Sequence, residues 1–211
     1  VISDSALFTL PETINQHTIK LKRTTNQTTI ILKTGINNSY KSATSLHNYL
    51  INTYYLQYNQ PVLEKIAQKF NAAKTIKLLK SIEQFIYNYI TNKKTGLPFL
   101  PASIIAQTRS GDCTEHSILM VAILRKLRIP ARAAIGLLFV SEWEGKKNVF
   151  VYHMWVEAYI HQKWILLDAT RFDKKYNRYI TLSYHNLKTE IPMDYLRVLG
   201  TMKNLRIYYV P

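Results

Sequence analysis

Cys113 is the only cysteine in the chain, and it stands in RSGDCTEHSILM, residues 109–120, just ahead of an apolar run. A single thiol cannot make an internal disulfide, so its placement calls for another explanation. Asp112, followed three residues later by Glu115, has the form of a capping box with Asp112 as N-cap and Cys113 as the first helical residue. Gly111 would ease the tight approach. The thiol then lies over the unpaired amides of a helix start, where the positive end of the dipole favours thiolate over thiol. The neighbouring Asp112 opposes this. A cationic partner is therefore required.

The candidate partner is His153, in the strand-like VFVYHMWVEAYI. Alternation puts Val151, His153, Trp155, Glu157 and Tyr159 on one face and Tyr152, Met154, Val156, Ala158 and Ile160 on the other. A histidine beside a cysteine can form a thiolate and imidazolium pair, then return the proton to a leaving amine. A third group follows from register. If His161 and Gln162 form a two-residue hairpin loop, Ile160 pairs with Lys163 and Asp168 lies opposite Trp155, a diagonal neighbour of His153 on its own face. A three-residue loop would flip Asp168 to the other face.

Each residue alone has an ordinary reading. A free cysteine is often a small buried apolar group, a strand histidine is often a satisfied core residue, and Asp168 after WILL could cap a strand end. His116, three residues after Cys113, makes a C-x-x-H spacing that can suggest zinc, but four ligands need more soft donors than the chain supplies. Arg132 and Arg171 could hold a substrate carboxylate, although solvated arginine is the default. The combination is what carries chemistry.

GDCTEHSILMVAILRKLRIPARAAIGL followed by YHMWVEAYIHQKWILLDAT resembles the core of the bacterial transglutaminase-like superfamily, whose fold is related to the papain-like thiol proteases. The resemblance is most specific from about Ala102 to Thr170. It implies a nucleophile at Cys113, a general base and acid at His153 and an orienting carboxylate at Asp168, acting on an amide carbonyl through a thioester. The backbone amide of Cys113 is the natural first oxyanion donor. Gln107, six residues before the thiol, matches the spacing of the glutamine in papain-like proteases and is the candidate second donor. No metal or organic cofactor is implied.

The elements that must position these groups can be read around them. Thr114 to Leu127 is apolar on nearly all sides and should be a buried central helix, stopped by Pro130. Pro61 opens a helical section continuing to Tyr89, with a break between Phe70 and Lys74; Gly96 and Pro98 end it. Ala131 to Val140, Asn148 to Ile160 and Lys163 to Asp168 read as an antiparallel sheet, separated by SEWEGKK and by HQ. SEWEGKK and RFDKKYNRY are the loops expected to shape a cleft. Nearer the start, Ile19 to Lys22 and Thr29 to Lys33 flank TTNQ as a hairpin, and the tail through Leu205 to Tyr209 suggests a further strand. The expected fold is α+β, with residues 1–60 a β-rich N-terminal segment, belonging either to this domain or to a truncated neighbour, and 61–211 the catalytic domain.

Composition is consistent with this and narrows the alternatives. Hydrophobic residues make up 47% and charged residues 19%, which suits a packed domain and argues against a disordered chain. The charge of +15 invites a nucleic-acid partner, but Lys and Arg are spread along the chain with no run longer than three. No zinc-finger or RNA-binding signature accompanies them, so a solvated basic surface is expected instead. No stretch is long and apolar enough to span a membrane, and no signal-like segment opens the sequence. An exported or periplasmic location is expected ahead of a cytoplasmic one. The expected activity is thiol-dependent hydrolysis of a protein or peptide amide, with lysine crosslinking and a non-catalytic binding module as alternatives.

Overall fold

The computed structural model describes residues 16–24, 27–34, 45–70, 73–94, 99–171 and 178–188. Four α-helices precede a four-stranded antiparallel sheet, as the α+β reading requires. Pro61 stands at the first helical position of α1, Pro61–Ala67, where its missing N–H costs nothing. Helix α2, Ile76–Tyr89, is capped by Thr75, whose hydroxyl accepts from the Leu78 amide at 3.1 Å. The expected break falls between these two. Helix α3 is Ala102–Thr108 and α4 is Cys113–Lys126. The residues from Ile118 to Leu124 are wholly buried, which explains why α4 has no polar stripe.

The sheet comprises β3, Ala131–Trp143; β4, Lys146–Ile160; β5, Lys163–Leu167; and β6, Tyr179–His185, in the order β5-β4-β3-β6. Two features depart from the sequence reading. SEWEGKK is not a loop: only Glu144 and Gly145 turn, at φ 48° and 76°, and the flanking residues extend β3 and β4 into a longer ribbon. A two-residue turn with both φ positive matches the twist of paired strands, so the hairpin closes as tightly as it can. The second is β6, which joins β3 at the edge opposite β5 and was not anticipated. Its YITLSYH alternation is short and follows a charged stretch, which masks the period.

At the other end of the chain, β1, Gln16–Thr24, and β2, Gln27–Thr34, form the expected hairpin, with Thr24 paired to Gln27. The proposed tail strand lies outside the described residues, as does most of RFDKKYNRY.

The sheet has apolar clusters on both faces. Helices α1 to α4 and the alternate β4 residues Met154, Val156, Ala158 and Ile160 share the larger core. On the opposite face Ala134, Leu138, Trp155, Trp164, Leu166 and Tyr179 are covered in part by Leu46 and Tyr49. Residues 45–60 also pack onto this body: Tyr55 and Leu56 are core residues, and Arg125 on α4 donates to the Ile51 carbonyl at 2.9 Å. That buried guanidinium also donates to Ala131 O at 3.0 and 2.8 Å and to Asn186 O at 3.0 Å, joining α4, the start of β3 and the end of β6.

Candidate active site

The turn before α4 is built to hold Cys113 at a helix start. Asp112 is the N-cap, its Oδ1 accepting from the Thr114 amide at 2.9 Å, while Glu115 Oε2 accepts from the Asp112 amide at 2.9 Å. The capping box is present as expected. Gly111 has φ +150°, and a Cβ there would lie 2.2 Å from Glu115 Cβ, so only glycine lets Glu115 fold back over the turn. Burial lifts the Glu115 carboxyl to about 7, which lessens the negative charge beside the thiol near neutral pH. The same turn is tied to the end of α2 by Asn92, which donates to Arg109 O at 3.0 Å and accepts from the Gly111 amide at 3.0 Å. Cys113 itself is half-buried.

The hairpin between β4 and β5 has the register on which the third group depends. Ile160 pairs with Lys163 and Val156 with Leu167 across a two-residue turn, with His161 at φ 48° and Gln162 at φ 61°. Continuing that register puts Asp168 opposite Trp155. His153 Nε2 and Asp168 Oδ2 are 2.8 Å apart, and the Cys113 side chain is near enough to the imidazole to act on its charge. Since Nε2 is engaged by the carboxylate, Nδ1 is the ring nitrogen left for another partner.

Alternation alone does not explain this meeting. His153 lies on the Trp155 and Tyr179 side, its ring centroid 6.2 Å from the Trp155 ring, whereas the body of α4 packs on the opposite face. β5 ends opposite Val156, so among the described residues no strand pairs with that edge of β4 at His153, and the influence of Cys113 on the imidazole comes from the N-terminus of α4.

Electrostatics favour an ionised pair. Burial works against a charged His153, but the Asp168 charge and hydrogen bond, with the Cys113 contact, outweigh it and push the imidazole up to about 10. Burial would raise Asp168; the His153 charge and its hydrogen bond, with donors from Thr170, hold it well below the usual carboxylate range. Thr170 donates to Oδ1 through its amide at 2.9 Å and its hydroxyl at 2.6 Å, and Tyr179 donates to Oδ2 at 2.8 Å. The Asp168 amide in turn donates to Glu83 Oε1 on α2 at 2.6 Å.

Thr170, Tyr179 and Glu83 were missed by the sequence reading. Asp followed two residues later by Thr is a recognised side-chain turn pattern and could have flagged Thr170. Nothing local marks Glu83, a buried carboxylate on an amphipathic helix, or Tyr179, on the unanticipated strand.

Gln107 is exposed on α3, and its side chain makes no hydrogen bond among the described residues. His116 is buried behind the thiol: Nδ1 meets Asp112 O at 2.6 Å and Nε2 meets Lys93 Nζ at 2.8 Å, and burial depresses it to about 4. It is therefore neutral, donating from Nδ1 and accepting at Nε2. Arg132 does not reach a substrate, because it is buried against Glu157 at 2.7 Å and stacked under Tyr184.

The transglutaminase-like superfamily model matches residues 58–169, just over half of the chain and a span that includes Cys113, His153 and Asp168. The chain belongs to the transglutaminase-like superfamily. A search of curated protein sequences finds no match. Among solved structures, a candidate cysteine protease from Cytophaga hutchinsonii is similar, with TM-score 0.63 and 21% identity, covering 84% of this chain and 74% of that one. The ethylmercury-bound periplasmic domain of TgpA from Pseudomonas aeruginosa follows, with TM-score 0.50 and 19% identity over 69% of this chain. This chain spans 56% of that domain. At these identities the likeness is one of fold.

Proposed function

We propose that the protein is a thiol-dependent amide hydrolase, a peptidase or amidase, in which Cys113, His153 and Asp168 act as a catalytic triad. The observation that carries this reading is the 2.8 Å hydrogen bond between His153 and the buried Asp168 carboxylate, with the Cys113 side chain near enough to act on the same imidazole. Cys113 sulfur adds to the amide carbonyl carbon, and the oxyanion forms against the Cys113 backbone amide, with Gln107 the proposed second donor. His153 delivers a proton from Nδ1 to the departing amine, leaving a thioester. Neutral His153 then takes a proton from water, which attacks the thioester and releases the acid and free thiol. Asp168 fixes the tautomer and supports the imidazolium throughout.

Residues 61–211 are proposed as the catalytic domain, supported at their start by the packed segment 45–60. Among the described residues no helix is long and apolar enough to cross a membrane. An exported location is proposed on the likeness to a periplasmic domain.

The test is incubation with a glutamine-containing protein donor and a labelled primary amine. Release of ammonia or of cleaved peptide, abolished by Cys113→Ala, is the expected result. Stable incorporation of label would replace hydrolysis by crosslinking. A wild-type thiol that alkylates no faster with iodoacetamide than free cysteine at pH 7 would remove the catalytic reading and favour a binding module.

A further inference from the structure

Asp168 is held far more completely than an orienting carboxylate needs to be. Among the described residues its Oδ1 accepts from Thr170 alone, through amide and hydroxyl. Its Oδ2 accepts from two side chains at equal distance, His153 Nε2 and the Tyr179 hydroxyl, both 2.8 Å away. The phenol comes from β6, the far edge of the sheet, and is 1% exposed. Its ring packs against Trp155 at 5.2 Å and lies 6.3 Å from the imidazole, which fixes the ring beside the carboxylate.

The backbone is shaped to bring this hydroxyl in. Gly136 on β3 pairs with His153 on one side and with Thr181 of β6 on the other, where the β6 register shifts. A Cβ at Gly136 would lie 2.0 Å from Ile180 O and 2.9 Å from the Trp155 ring. Glycine thus permits the close approach of β6 and Trp155 that sets the phenol over Asp168.

We propose that Tyr179 is a positioning residue for the triad: by donating to the oxygen that holds His153, it fixes the carboxylate plane and withdraws part of the charge that would otherwise act on the imidazole. The proposal rests on the triad reading. A donor to an anion competes with the other donor on the same oxygen, so removing it strengthens the remaining bond and the pull on the imidazolium. Several other ionisable groups bear on the site. Glu83 approaches from α2, with Lys80 on its other oxygen at 3.3 Å; His116 faces from α4 with Lys93 behind it; Arg171 lies beside the phenol. None of these donates to Asp168 Oδ2 among the described hydrogen bonds, which leaves the phenol as the side chain that shares that oxygen with His153.

Tyr179→Phe keeps the ring and deletes the donor. Two readouts need no substrate: the pH profile of Cys113 alkylation by iodoacetamide, and the titration of His153 followed by nitrogen-15 NMR. In the variant the acid limb of alkylation and the His153 midpoint both move up, by about half a pH unit, equivalent to about threefold in rate on the limb, because the less shared Asp168 charge holds the imidazolium and opposes the thiolate alike. Site-specific 3-fluorotyrosine at position 179, a stronger donor of similar size, moves both the other way, and it serves alone if the phenylalanine variant fails to fold. Midpoints that stay put, or move in the reverse sense, overturn the proposal. If wild-type alkylation is itself indifferent to His153→Ala, the triad reading fails; if it depends on His153 yet ignores position 179, only the role of Tyr179 fails.

Discussion

Four donors converge on the Asp168 carboxylate, two of them from Thr170, and this arrangement makes the acid the most constrained member of the site. Two outcomes follow at the level of single residues. His153→Ala removes the base and acid proposed for Cys113, and iodoacetamide alkylation should slow on the order of 10-fold or more. Asp168→Asn strips the buried imidazolium of its partner, at a cost on the order of 3 kcal/mol by urea denaturation. The pH dependence has a definite sign. His153 is raised to about 10, so its contribution is complete below its ordinary value near 6.5 and fades as pH climbs through 10. Asp168 is depressed, so its contribution holds above the ordinary carboxylate range and is lost in stronger acid. The stability gap between wild type and Asp168→Asn should therefore be widest near pH 5 to 6 and shrink on the alkaline side, roughly between pH 6.5 and 10.

Elements place these residues through turns that tolerate little change. At the start of α4, Gly111→Ala would drive a Cβ into Glu115 and break the capping box. A loss of about 2 kcal/mol in thermal or urea unfolding is expected, with slower Cys113 alkylation because the helix start shifts. The β4–β5 turn offers the opposite case. His161 and Gln162 both hold positive φ, which side chains adopt at some cost, whereas an asparagine followed by glycine suits such a turn. The double substitution His161→Asn with Gln162→Gly should raise stability by about 0.5 to 1 kcal/mol and leave alkylation unchanged, since the register is kept. A slower alkylation would mean that the turn residues do more than set register.

Across the whole molecule, α4 is the structural meeting point: it packs on α1, α2, α3, β3 and β4, and Arg125 near its end ties residues 51, 131 and 186 together. This guanidinium is fully buried and bonded to carbonyl oxygens, and burial lowers it to about 10. Lysine cannot reproduce a planar fork that reaches three carbonyls, so Arg125→Lys should destabilise by on the order of 3 kcal/mol in urea denaturation. The basic surface acts at the same scale. Its lysines and arginines are spread along the sequence, so weak retention on immobilised nucleic acid at physiological salt is expected; strong salt-dependent retention, unaffected by Cys113→Ala, would favour a polyanion partner instead.

Much of the site was legible in the chain itself, because its signals are local. A capping box needs only residues 112 and 115, and alternation with a two-residue turn is enough to put Asp168 in line with His153. Helices α1, α2 and α4 follow from proline, glycine and apolar spacing in the same way. What the linear pattern could not supply is contact between elements remote in sequence. Glu83 lies 85 residues from the amide it accepts from, Tyr179 reaches Asp168 from an edge strand beyond β3, and Cys113 acts on an imidazole that lies on the strand face opposite the one the body of α4 covers. Short-range propensity decides caps, turns and periods, but which buried polar groups become partners depends on how sheet and helices pack, and only the tertiary structure settles that.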